Sequence, residues 1–341
     1  MRLLAACGVI VLSAVIVSAT QDQPPLRQAL DCTDAGCHDE YGDRGFVHGP
    51  ALVGSCDACH KMVDEKDHTV ELVREGAAMC TFCHLEGTSG KVVHDPVAEG
   101  ECLTCHDPHA GNDTYYLMAS SVAELCGDCH DDILEQAGGA AVGHDAVTTG
   151  SACANCHNPH ASDLDHILRR DEMGLCLSCH NKVIETGSGP IADMNKLFKE
   201  SPSVHGPIED GECSICHQAH GGSRFRLLTE DYPSEFYVSY EQQKYALCFQ
   251  CHEADAFESE RTADDTNFRN GDRNLHYVHV NRKEKGATCR ACHEVHAGKQ
   301  PHHIAGSVQA GDSKMAISFQ KTSTGGACQT TCHKLHRYDR D

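Results

Sequence analysis

Cysteine and histidine carry the chemistry of this sequence. From Gly100 the chain reads Gly-Glu-Cys102-Leu-Thr-Cys105-His106-Asp-Pro-His109, and after a polar loop Leu125-Cys126-Gly-Asp-Cys129-His130. Residues i, i+3 and i+4 share one face of a helical turn. Two thiols and an imidazole at that spacing can engage one planar ligand from one side. Cys-x-x-Cys-His is the attachment signature of c-type haem. Cys102 and Cys105 would reach the two vinyl groups, and His106 would approach the iron. His109 follows Pro108, which disfavours continuing the helix, so it turns away from its own motif and is free to serve another. His94, eight residues before Cys102, offers a further imidazole.

The block is a repeat in the loose sense. It returns as His144, Cys153, Cys156, His157, His160, Cys176, Cys179 and His180. It returns again as His205, Cys213, Cys216, His217, His220, Cys248, Cys251 and His252. The last copy is His279, Cys289, Cys292, His293, His296, Cys328, Cys332 and His333. A degraded copy runs through His48, Cys56, Cys59, His60, Cys80, Cys83 and His84. There Val63 stands in place of the second histidine, with His68 nearby. One motif stands alone in front, Cys32-Thr-Asp-Ala-Gly-Cys37-His38. Two motifs are stretched: four residues separate Cys32 from Cys37, and three separate Cys328 from Cys332.

From Asp31 to His333 this layout resembles the doubled CXXCH family of multihaem c-type cytochromes. The resemblance implies covalent haem c, two axial histidines per iron, and electron transfer without catalysis. Stretched motifs bind haem in related multihaem cytochromes, so the expected number is eleven. In size, motif density and paired layout the chain is similar to decahaem periplasmic conduit cytochromes, which thread an outer-membrane barrel. The expected partners are therefore redox proteins, among them other cytochromes and an outer-membrane barrel. A soluble periplasmic shuttle and a self-assembling extracellular filament subunit stay open beside the conduit.

The histidine supply suits two imidazoles per iron. Of 26 histidines, eleven are proximal, which leaves fifteen for eleven distal places. The repeat nominates His48, His94, His144, His205 and His279 upstream, and His109, His160, His220 and His296 downstream. His68 is the replacement in the degraded copy. The eleventh comes from His276, His302, His303 or His336. His166, beside Arg169 and Arg170, reads as a surface residue. An iron with two imidazoles has no place for substrate, which suits electron transfer rather than bond-making chemistry. A nitrite or hydroxylamine oxidoreductase is the competing reading, but it needs one open iron. All eleven motifs end in His, and no Cys-x-x-Cys-Lys occurs. Zinc is the generic alternative for Cys and His. A histidine placed directly after the second cysteine in every motif fits haem attachment instead.

Composition agrees. The chain has 341 residues, no Trp and 5% aromatics, too little for an ordinary apolar core of this size. The haems must supply much of that core. The motifs use 22 of the 23 cysteines and leave only Cys7, so no disulfide framework is available. The expected fold is short α-helices and coil wrapped around a chain of haems, with little or no β-sheet. Tyr240–Ala254 is the best helix, and Phe319–Gly326 is extended. Residues 1–19 read as a cleaved secretory signal, with Arg2, an apolar run and Val17-Ser18-Ala19. Export to the periplasm, the outer membrane or beyond follows, since the family's haems are attached outside the cytoplasm. Residues 20–189 hold seven motifs at gaps of 22 to 27 residues. Residues 190–341 hold four at gaps of 35 to 41, with 13 of the 18 Phe and Tyr. Thr186-Gly-Ser-Gly-Pro190 is the candidate hinge. The net charge of −22 argues against a nucleic-acid partner and for docking to basic patches on redox proteins.

Intact mass of the exported protein should correspond to eleven covalent haems. A mass corresponding to nine would show that the two stretched motifs are empty.

Overall fold

A computed structural model of the chain describes His38, residues 44–85 and residues 87–341. The signal segment 1–19, Cys7, the lead-in Gln21–Leu30 and the Cys32 and Cys37 thiols lie outside the described residues. Each repeat uses the same short elements, and the sequence explains them. In four of the five copies the upstream histidine sits at a helix N-cap with extended backbone; His48, for example, has φ −61° and ψ 139°, whereas His279 lies within the helix Leu275–Val280. The single-turn helices Gly49–Leu52, Asp95–Ala98 and Gly206–Glu209 follow, each with proline in its first turn, where the missing N–H goes unused. In the third copy Ala146 replaces that proline, and the turn tightens to the 3-10 segment Asp145–Val147.

The two motifs of a repeat are built differently. In four of the five copies the first lies on a 3-10 turn: Cys56–Ala58, Cys102–Thr104, Ala152–Asn155 and Cys289–Ala291; at Cys213 it is a plain turn. The second begins within the last turn of an α-helix: Ala78–Thr81, Val122–Gly127, Glu172–Leu177 and Ala246–Phe249. Ser121 and Asp171 cap two of these helices by accepting the N–H of Glu124 and Gly174. Within Tyr240–Ala254, regular structure is confined to the 3-10 turn Gln242–Tyr245 and the helix Ala246–Phe249. The fully buried Tyr245 packs there against Tyr232, Tyr240 and Phe249.

Short antiparallel ladders join one repeat to the next. Phe46–Val47 pairs with Ala110–Gly111, Val92–Val93 with Ala161–Ser162, and Ser203–Val204 with Ala297–Gly298. A single bridge, Val142 to Gly222, replaces the ladder between the third and fourth copies. The ladders end on histidines: His48 N–H donates to the His109 carbonyl at 2.8 Å, His94 to His160 at 3.0 Å, and His205 to His296 at 2.9 Å. Ala110, Ala161 and Ala297 are buried at these joins, where the strands leave no room for a larger side chain. A Cβ on Gly111 would stand 2.6 Å from Tyr116 Cα, so glycine is required there.

The C-terminal segment departs from the expectation of little or no sheet. Ser307–Ala310, Ser313–Lys321, Gly325–Thr330 and His333–Asp339 form a four-stranded antiparallel meander. Met315, Ile317 and Phe319 alternate with more exposed Ala316, Ser318 and Gln320, the period-two pattern of a half-buried strand. The last motif rides on this sheet. Cys328 lies in the third strand, and His333 opens the fourth. The extra residue between Cys328 and Cys332 spans the turn.

Contacts cross the candidate hinge. Ile184 and Ile191 bridge around it, and the Arg226 guanidinium donates to the Ser188 and Gly189 carbonyls. Farther along, fully buried Asn274 donates to the Ala256 and Ser259 carbonyls and caps the helix Leu275–Val280. The apolar core is thin. Among the described residues twelve apolar side chains are buried, and seven of them are alanine. Such a core does not offset the conformational entropy of a chain this long.

Expressed without haem-attachment machinery, the chain should therefore be protease-sensitive and lack a cooperative thermal transition. A compact, protease-resistant apoprotein would refute this.

Candidate haem sites

Ten proximal imidazoles each face a second imidazole across a narrow gap. Ring centres lie 6.1 Å apart for His38 and His68, 6.0 Å for His60 and His109, and 5.7 Å for His84 and His48. The separation is 5.9 Å for His106 and His160, 6.1 Å for His130 and His94, and 6.1 Å for His157 and His220. It is 6.4 Å for His180 and His144, 6.1 Å for His217 and His296, and 6.1 Å for His252 and His205. His333 and His279 stand 6.5 Å apart. First-row metal–imidazole bonds are about 2 Å, and a ring centre lies roughly 1 Å behind its nitrogen, so imidazoles on opposite faces of one iron stand about 6 Å apart. All ten histidines nominated as distal ligands are in these pairs.

The pairing follows a rule. The upstream histidine of a repeat faces the second motif of the same repeat, as His94 faces His130. The histidine after the first motif faces the first motif of the preceding repeat, as His160 faces His106. Val63 therefore occupies a position that would face the lone leading motif. His68 faces it instead, from the loop between the strands His60–Asp64 and Thr69–Leu72.

Hydrogen bonds orient the rings. Nδ1 of His48, His94 and His144 donates to the carbonyls of Pro108, Pro159 and Ala219 in the next repeat. Nδ1 of His106, His157, His217 and His293 donates to the carbonyl nine residues on, at Tyr115, His166, Arg226 and His302. With Nδ1 protonated and engaged, Nε2 keeps its lone pair for a metal. Left-handed backbone aims those carbonyls: Tyr116 (φ 57°), His166 (55°), Arg226 (57°) and His302 (58°) are all non-glycine. Conformations of this kind persist where surrounding structure holds them. The exposed side chain of His166 matches its surface reading, while its backbone serves His157. Sequence reasoning missed these carbonyls. The available signal was an apolar residue eleven places after each first-motif histidine: Leu117, Leu168, Leu228 and Ile304.

His293 is the eleventh proximal imidazole. Burial lowers the His276 pKa to about 4, and nearby His293 adds to the effect. His276 lies between the rings of Phe257 and Phe268, with Nδ1 2.9 Å from Thr266 Oγ1. The other candidates sit elsewhere. His302 is exposed beside Phe319. His303 lies edge-on to His205 and 3.3 Å from Ser203 Oγ. His336 is 4.8 Å from His333, too short for an iron between them.

The thiols trace a line through the molecule. Cys80 lies beside Cys102, Cys126 beside Cys153, Cys176 beside Cys213, and Cys248 beside Cys289. Cys105 neighbours Cys129, Cys156 neighbours Cys179, Cys216 neighbours Cys251, and Cys292 neighbours both Cys328 and Cys332. Burial pushes the Cys126 thiol up to about 12, and Cys153 adds to the shift. These side chains line one continuous, mainly apolar cavity of about 4740 Å³ that runs from His48 to Arg340. A single small-molecule site occupies roughly 300–1,000 Å³. Paired imidazoles, thiols on one side of each gap and a long apolar channel fit a row of covalent haems.

Comparison with known proteins agrees. The doubled CXXCH motif family matches residues 94–135, 144–185 and 205–257, each match starting on an upstream histidine. Over these residues the chain is similar to the multihaem c-type cytochromes that carry this doubled motif. The chain is 25% identical over 174 residues to a multiheme cytochrome MtrA of Shewanella baltica, covering 44% of this chain. It spans about half the length of that relative.

His160→Ala should create one haem that binds carbon monoxide when reduced. That signal should vanish when Cys102 and Cys105 are also changed to Ala, and persist when Cys153 and Cys156 are. The reverse pattern would show that His160 serves its own motif.

Proposed function

We propose that this cytochrome is an electron wire of eleven haems, each held by two histidines. The observation that carries the reading is the set of ten imidazole pairs spaced for one iron each. His276 serves as the eleventh distal ligand, opposite His293. Its burial, its electrostatic contact with His293 and the placement of the other three candidates support this. When bound, each haem supplies one ferric–ferrous couple. The chain's own residues do the rest. Histidines fill both axial places, backbone carbonyls fix their tautomers, and the apolar channel limits water access. The neighbouring thiols of successive motifs support one unbroken row from the Cys56 motif to the Cys328 motif. His68 in turn carries the leading motif to the same end.

The reading extends to transfer between redox proteins from the periplasm toward the outer membrane or beyond. The secretory pattern of residues 1–19 and the likeness to a multiheme cytochrome MtrA support it. Among the described residues no helix is long and apolar enough to cross a membrane. A barrel partner would have to be tested by co-purification.

Magnetic resonance of the oxidised protein should show only low-spin haems, and the reduced protein should take up negligible carbon monoxide. His276→Ala should add one stoichiometric carbon-monoxide-binding haem, while alanine at His302, His303 or His336 should add none. A stoichiometric open haem in the unaltered protein would favour an oxidoreductase instead.

A further inference from the structure

The net charge of −22 hides a strong division along the chain. Residues 261–341 hold 13 Lys and Arg against 8 Asp and Glu, a net of +5. Residues 1–260 hold 15 against 42, a net of −27. The basic stretch is the one that surrounds the last motif. Lys334 follows His333 directly, and Arg337 lies in the same strand opposite Ala327, next to Cys328. Lys314 precedes Met315, whose sulfur is 3.5 Å from Cys332 Sγ. Arg273 and Arg282 flank the helix Leu275–Val280, which carries His279, and the His279 ring centre is 6.5 Å from that of His333. Arg273, Arg282, Lys314, Lys334 and Arg337 are exposed, and among the described residues none forms an ion pair.

An apolar centre accompanies the cations. Leu335 is 48% exposed and Tyr237 is 46% exposed. The Tyr237 side chain lies near Cys332, a cysteine of the last motif. Apolar contact at the haem with charge around it is the arrangement of an electrostatically steered interface.

We infer that the His333 end is a docking surface for a redox protein with an acidic face. This inference rests on the electron-transfer reading and gives the two ends of the wire different partners. The acidic body repels such a protein over most of its surface, and the basic end attracts it, so encounter is focused at the last motif, where Cys332 is exposed. Salt should weaken that attraction, because it acts between exposed charges.

The test uses the holoprotein and reduced plant-type ferredoxin, an acidic one-electron donor of low potential. Stopped-flow reduction at low ionic strength should slow at least tenfold in the triple variant Arg282→Glu, Lys334→Glu, Arg337→Glu, and its salt dependence should flatten. Reduction by the cationic donor methyl viologen radical should not slow. The Gln versions of the three substitutions should fall between. An unchanged ferredoxin rate in the triple variant would overturn the inference. So would an equal loss with both donors, or a lower haem count, which would show that the cations hold haem propionates instead. Failure of either donor to reduce the unaltered protein would count against the electron-transfer reading itself.

Discussion

Two imidazoles on opposite faces of one iron cannot move independently. The pairs at 5.7 to 6.5 Å therefore tie together backbone segments far apart in sequence. His60 and His109 are 49 residues apart, and His217 and His296 are 79. The repeat joins share this geometry. His94 faces His130 with its ring, donates its Nδ1 proton to Pro159, and donates its backbone N–H to His160. One residue thus sets an axial position, a tautomer and a strand register together. Little apolar packing is left to do that work, since most of the buried apolar side chains are alanine.

The glycines and left-handed residues serve the same end. The loop after each first motif turns back on itself so that a carbonyl meets the proximal imidazole. It holds the bulky side chains of Tyr116, Ile167, Leu227 and His303 at positive φ. Strain at those positions is offset by the hydrogen bond and by the bridge that follows, such as His106 to Leu117. A carbonyl acceptor also increases electron density on the imidazole, so this loop bears on the potential of the iron as well as on its geometry.

Motif cysteines, proximal histidines and distal candidates were legible because haem attachment fixes residue types and spacing at once. Which distal histidine faces which motif was not legible, because the answer lies in ladders only two residues long, such as Val92–Val93 with Ala161–Ser162. Two-residue strands leave no alternation to detect. The C-terminal sheet is different. Met315, Ile317 and Phe319 do alternate, but the motif at Cys328 sits inside the sheet and its cysteine spacing suggests a helix. The eleventh distal ligand stayed open among four histidines, because only the burial of His276 between Phe257 and Phe268 sets it apart, and that is not visible in spacing. Charge was read as one total, which concealed its division along the chain.

The crossed supply of ligands makes every repeat incomplete by itself. His106 waits for His160, and His157 waits for His220, each contributed by chain that comes later. A polypeptide exported N-terminus first would therefore coordinate its haems in order, each repeat closing the one before. In the proposed assignment His276, three residues ahead of His279 on the helix Leu275–Val280, would serve His293 of its own repeat and need no later chain.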